Sequence, residues 1–193
     1  MEVDSVVIAR LRAAGCVFAE EEAAILASTA TSPAELDAMV ARRAGGEPLE
    51  QVVGWAEFAG LRVFVDRGVF VPRRRSEFLV DVAVRLAGAV PRVVVDLCCG
   101  TGALGLAVAV KLARVAGEAE CPADGAAADV RLGGVELHAA DLDPAAVACA
   151  RRNVEPAGGH VYAGDLFAAL PDALRGRAGV LICNAPYVPT AEI

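Results

Sequence analysis

The chain has 193 residues, 56% of them apolar and 22% charged, which suffices to bury one sizeable core. A formal charge of −7 argues against a body built to sit on nucleic-acid phosphates or an anionic membrane. Six cysteines without a C-x-x-C pair and two histidines argue against zinc and a disulfide framework, and no stretch reaches the ~18 apolar residues of a membrane span. The N-terminus MEVDSVVIAR lacks a signal-peptide pattern, so a soluble, reduced, cytoplasmic protein without a metal is expected.

Residues 1 to about 45 read as helices. Val3, Val6, Val7 and Leu11 recur at helical spacing, and Glu20, Glu21 and Glu22 open a second helix carrying Ile25 and Leu26. A third starts with Ser32 as N-cap, Pro33 at the first helical position and Glu35 as capping-box partner; Gly45 and Gly46 end it. From Glu47 the period changes to two. Leu61, Val63 and Val65 alternate with Arg62 and Phe64, and Asp66-Arg67-Gly68 turns the chain into Val69-Phe70-Val71, which predicts a β-hairpin. Ser76 is placed to cap a helix through Phe78, Leu79, Val82 and Leu86.

Val93 to Leu106, VVVDLCCGTGALGL, predicts a strand, a glycine loop and a helix whose first N–H groups are left to donate to a ligand. Residues 103 to 115 read as helical, and 117 to 133 as a surface insertion. A second strand ends at Asp141, with Asp143 and Pro144 starting a helix that carries Val147, Cys149 and Ala150. His160 to Ala163 reads as a third strand beside Asp165, Leu166 to Leu174 as a helix, and Gly179 to Cys183 as a fourth strand delivering Asn184-Ala185-Pro186-Tyr187. Cys149 and Cys183 read as small core residues. Strands alternating with helices predict an α/β fold with a doubly wound, mostly parallel sheet and ligands at the carboxyl ends of its strands. The expected division is a helical module over 1–46, a hairpin linker over 47–75 and a ligand-binding domain over 76–193.

Gly100, Gly102 and Gly105 match G-x-G-x-x-G, a weak dinucleotide signal. The acid of a dinucleotide site falls about 20 residues on, whereas here the second strand ends at Asp141. Asp96, before the glycines, suits a ligand with a cationic amine. S-adenosylmethionine has an ammonium and a sulfonium, and NAD has neither. Asp141 then suits the ribose hydroxyls and Asp165 the adenine amino group, against the bland reading of acids that solvate strand ends. At the fourth strand, the Asn184 amide oxygen and the Ala185 carbonyl can accept two N–H bonds from a planar –NH₂ group, and Tyr187 can stack on it; the bland alternative is an Asn/Pro turn.

VVVDLCCGTGALGL resembles motif I of class I methyltransferases, and NAPY resembles the Asn-Pro-Pro-Tyr motif of amino-methyltransferases. Gly46 to Val80 is similar to the hairpin linker of the HemK/PrmC family, protein N(5)-glutamine methyltransferases acting on peptide chain release factors. The resemblance implies a class I, Rossmann-like methyltransferase fold using S-adenosylmethionine. It assigns Asp96, Gly100 and Gly102 to the methionine part, Asp141 to the ribose, Asp165 to the adenine region, and Asn184, Ala185, Pro186 and Tyr187 to the glutamine amide, with Asn184 and Tyr187 catalytic. Cys98 stands where the family has its first loop glycine, Ala185 replaces the first Pro of its motif, and Arg73-Arg74-Arg75-Ser76-Glu77 stands in the Pro-Arg-Pro-(Glu/Asp)-Thr-Glu pattern, keeping Pro72, Arg73 and Glu77 and changing the rest. The helical module, which in the family helps dock the release factor, is shorter than usual. The sequence stops just past the fourth strand, where the resemblance implies more, so it reads as a fragment with the C-terminal strands missing.

A release-factor glutamine is therefore the expected acceptor. The alternatives are adenine-N6 methylation of nucleic acid, which the acidic charge disfavours, and a non-catalytic paralogue that binds S-adenosylmethionine. An NAD-dependent oxidoreductase fails on Asp96.

Overall fold

The structure is a computed structural model that describes residues 5–87, 92–119, 122 and 125–185. It forms two compact units, Met1–Trp55 and Ala56–Ile193. In the first, α1 (Ser5–Ala13), α2 (Ala19–Thr29), α3 (Pro33–Ala44) and the short α4 (Leu49–Val53) bury Leu11, Ala23, Leu26, Val40 and Val52 together. Ser32 caps α3 by accepting the Glu35 N–H at 3.2 Å. The returning Glu35 carboxylate accepts from the Thr31 N–H and hydroxyl, so the capping box closes one residue early. Alternation had concealed α4, which Pro48 opens and Gly54, at φ 84°, ends.

The hairpin is shifted from its expected place. It pairs β1 (Trp55–Phe58) with β2 (Leu61–Phe64), and its turn is Ala59-Gly60, with φ of 51° and 78°. Two consecutive positive φ values are what a type I′ turn requires; with Ala in the first place the turn carries no Asn-Gly or Asp-Gly signature. Val69 and Val71 are buried but lie in irregular chain, not in a strand. A 3-10 turn at Arg74–Ser76 leads into α5 (Glu77–Leu86), and Ser76 makes no side-chain cap.

The second unit is built on β3 (Val93–Leu97), β4 (Glu136–Asp141), β5 (His160–Ala163) and β6 (Val180–Cys183), parallel and in the order β5-β4-β3-β6. Near-continuous burial of β3 is what a central parallel strand requires. Val94, Leu137, Ala139, Val161, Val180 and Ile182 share a core with α6 (Ala103–Val115) and α7 (Pro144–Val154). Asp143 caps α7 by accepting the Ala145 N–H at 2.9 Å. On the other face Val93, Val95 and Leu97 meet Leu174 and Leu170. Here two 3-10 turns, Leu166–Ala169 and Asp172–Leu174, stand where a helix was expected, because Pro171 interrupts the run and Leu166 has a positive φ of 45°.

The insertion after α6 is not merely surface. Ala127, Val130 and Leu132 enter the main core, and the Gly125 carbonyl accepts from the Arg62 N–H of β2 at 2.7 Å. Cys149 is a core residue, whereas Cys183 is exposed because β6 alternates Val180 and Ile182 inward with Leu181 and Cys183 outward. No helix among the described residues is long and apolar enough to cross a membrane.

Candidate functional site

The chain moves outward from β3 through β4 to β5, then returns to the opposite side of β3 with β6. Such a reversal leaves a crevice beyond the carboxyl ends of the strands. A cavity of about 790 Å³ lies there, and Asp96, Gly100, Asp141, Asp165, Asn184 and Ala185 all line it. That volume is within the range of cofactor sites. Pro186 and Tyr187 lie outside the described residues.

Asp96 is the buried end of this arrangement, 1% exposed. Its Oδ2 accepts the Gly105 N–H at 2.8 Å. Burial pushes its carboxyl up to about 7, opposed by the Gly105 N–H and reinforced by the negative charge of Asp141. Among the described residues no arginine or lysine pairs with it. A buried carboxylate without a cation fits a cationic ligand group.

The loop glycines divide their work. A Cβ on Gly100 would meet nothing within 4 Å, so this residue opens onto the cavity. A Cβ on Gly102 would lie 2.7 Å from a Val154 methyl, which makes Gly102, at φ 76°, the place where the start of α6 packs on α7; it is absent from the cavity wall. A Cβ on Gly105 would overlap that of Asp96 at 2.6 Å. Cys98, at the family's glycine position, adopts φ 54°.

Asp141 holds the loop. Its Oδ2 accepts the Gly100 N–H at 2.8 Å and its Oδ1 the Asp143 N–H at 3.0 Å. The expected free donors are thus largely engaged: Gly100 on Asp141, Gly105 on Asp96, and Ala103 on the Thr101 hydroxyl at 3.4 Å. Asp165 is exposed and makes no side-chain cap on the turn it precedes. Asn184 follows β6 directly, half-buried. Among the described residues, no group of three His, Cys, Asp or Glu side chains converges on a metal-sized site.

Sequence reasoning missed the apolar part of the wall. Val69, Phe70 and Pro72 line one side, and Leu142 stands beside Asp141, with Phe70 55% and Leu142 70% exposed. The Arg73 guanidinium lies over the Phe70 ring, 5.7 Å from its centroid. The signal available was a large apolar residue just past a strand-ending acid, where no core position was due.

No protein-family model matches the chain. It is 35% identical over 157 residues to the release factor glutamine methyltransferase of Streptomyces coelicolor, an alignment covering 80% of this chain and 48% of that protein. It is 37% identical over 156 residues to the 4-amino-L-phenylalanine/4-methylamino-L-phenylalanine methyltransferase of Streptomyces pristinaespiralis, covering 78% and 46%. With the release factor glutamine methyltransferase of Escherichia coli identity is 31% over 157 residues, covering 80% and 48%. The chain spans about half the length of the curated relatives it matches. Its parallel α/β sheet is that of a class I methyltransferase, and over about 80% of its own length the chain is similar in sequence to release factor glutamine methyltransferases, at 31% to 36% identity.

Proposed function

We propose that the chain is part of a cytoplasmic S-adenosylmethionine-dependent N-methyltransferase whose acceptor is a glutamine side-chain amide of a peptide chain release factor. The observation that carries this reading is the convergence, on one cavity, of a buried uncompensated carboxylate at Asp96, the acids Asp141 and Asp165, and Asn184 with Ala185. The family names of the relatives support the acceptor.

When bound, S-adenosylmethionine supplies an electrophilic methyl group on a sulfonium that is a good leaving group. Asp96 holds the ligand's ammonium. Asp141, already fixed by two backbone N–H groups, presents its remaining lone pairs to the ribose hydroxyls, and Asp165 accepts from the adenine amino group. Gly100 keeps the wall open for close approach, while Gly102 acts by seating α6 on α7. Asn184 Oδ1 and the Ala185 carbonyl accept the two amide N–H bonds of the acceptor, fixing its nitrogen without a strong base; the family resemblance assigns Pro186 and Tyr187 to the same acceptor. We assign residues 1–46 to a docking module, 47–75 to the linker and 76–193 to the cofactor-binding part.

One relative's name specifies an aromatic amine, which favours a second reading: a small arylamine as acceptor at the same Asn184 platform. The test is transfer of labelled methyl from S-adenosylmethionine to release factor, 4-amino-L-phenylalanine and DNA, beside calorimetric titration of S-adenosylmethionine and NAD. Label on the release-factor glutamine is expected. Label in the arylamine or DNA alone overturns the acceptor, and a response to NAD only overturns the cofactor.

A further inference from the structure

Two cysteines are neighbours at the carboxyl ends of β3 and β6, and one of them, Cys98, lines the cavity. β3 and β6 are neighbours, with Leu97 opposite Cys183, and Cys98 is the next residue of the chain. Its positive φ, 54°, takes its side chain out of the strand's alternation, and the neighbouring Cys183 thiol helps to raise the Cys98 thiol. Both are free thiols. Adjacent strands lie about 5 Å apart, inside the Cα separation that a disulfide spans. Cys98 lines the cavity, and Cys183 is joined to Asn184. The other described cysteines differ: Cys16, Cys99 and Cys149 are buried, and Cys149 donates to the Phe64 carbonyl at 3.4 Å.

We propose that Cys98 and Cys183 form an oxidisable dithiol, which a low-molecular-weight disulfide converts to an intramolecular disulfide that ties the cofactor loop to the acceptor platform and weakens cofactor binding. The exposed Cys183 thiolate attacks the small disulfide, forming a mixed disulfide and releasing one small thiolate. Cys98 sulfur then attacks Cys183 sulfur, forming the protein S–S bond and displacing the second small thiolate. Both cysteine sulfurs are oxidised, the reagent is reduced to two thiols, and these take up the two cysteine protons. Burial, then the neighbouring Cys183 and the charges of Asp141 and Asp96, push the Cys98 thiol up to about 11, which fits the order in which Cys183 reacts first. The reverse reaction needs only a dithiol reductant.

The effect on binding rests on the cavity being an S-adenosylmethionine site; the bond itself does not. The 193-residue chain is treated with oxidised glutathione and examined by intact mass and peptide mapping, then titrated with S-adenosylmethionine before and after dithiothreitol. The expected result is loss of two hydrogens, a peptide cross-linking Cys98 to Cys183, and affinity about tenfold weaker until reduction. Cys183→Ser should form no cross-link and show an affinity indifferent to the treatment; Cys98→Gly should stop at the mixed disulfide on Cys183. Stable glutathione adducts on both cysteines of the wild type, or a cross-link to a different cysteine, overturn the dithiol. A mapped bond with unchanged affinity overturns the effect on binding. Absence of binding by the reduced protein overturns the cofactor reading and the binding effect with it, while the mapping still decides the dithiol.

Discussion

Asp96 and Gly105 constrain each other: the carboxylate needs the Gly105 N–H, and the space it occupies leaves no room for a Cβ there. Gly105→Ala should cost about 2 kcal/mol of stability through overpacking, measured by urea denaturation, and should displace Asp96 from the cavity. Folded Asp96 keeps its proton to about pH 7, whereas an unfolded aspartate releases it near pH 4. Between those values the folded state binds the extra proton, so this residue's contribution to stability falls as pH rises from about 4 to 7. Thermal melts across that window should show the slope in the wild type and its loss in Asp96→Asn. A cationic ligand favours the ionised carboxyl, so S-adenosylmethionine affinity should rise with pH up to about 7, with proton uptake by buffer visible in calorimetry. Cys98→Gly should relieve its left-handed backbone and raise stability by ~1 kcal/mol. Asn184→Ala should lower methyl transfer at least about a hundredfold while S-adenosylmethionine affinity stays within about twofold; equal loss of both would make Asn184 structural. At this scale the acids and loop glycines are legible because strand ends advertise them. Which glycine faces the cavity and which clears a neighbour is decided by Val154 and Asp96, residues that no local pattern couples to the loop.

Between elements, Asn153 of α7 acts as a junction. Fully buried, it accepts the Phe64 N–H of β2 at 2.7 Å through Oδ1 and donates through Nδ2 to the Phe64 and Thr101 carbonyls at 3.0 and 2.9 Å. The next residue back, Arg152, pairs with Asp66 and stacks over the Phe64 ring, 4.3 Å from its centroid. The hairpin and the glycine loop are thus held to one helix. Asn153→Ala should destabilise the chain by about 3 kcal/mol, since three bonds are lost and buried backbone groups are left unpaired. Helices with caps, such as α3 and α7, are legible because local chemistry specifies their ends. The hairpin's place is not legible because Ala59 holds a turn by tertiary context against its own preference, and the insertion reads as surface because Ala127, Val130 and Leu132 follow no period.

For the molecule as a whole, the cavity belongs to the unit Ala56–Ile193, and every described residue placed in it comes from that unit. Hydrogen exchange with saturating S-adenosylmethionine should therefore show new protection around residues 96–105, 139–143 and 163–166, and unchanged exchange in α1 to α3. Protection confined to α1 to α3 would contradict the assignment. The parallel sheet and its ligand edge are legible from strand and helix alternation, because such a sheet has few ways to connect. The strand order has a further consequence in time. Val94 pairs with Val180, across the sequence of α6, β4, α7 and β5, so the central strand waits for β6. Long-range parallel pairing of this kind is slow to form. On a ribosome, the loop at Gly100 emerges well before Asn184, so the two halves of the cavity meet only after β6 has emerged, and the nascent chain carries a half-built pocket until β6 docks.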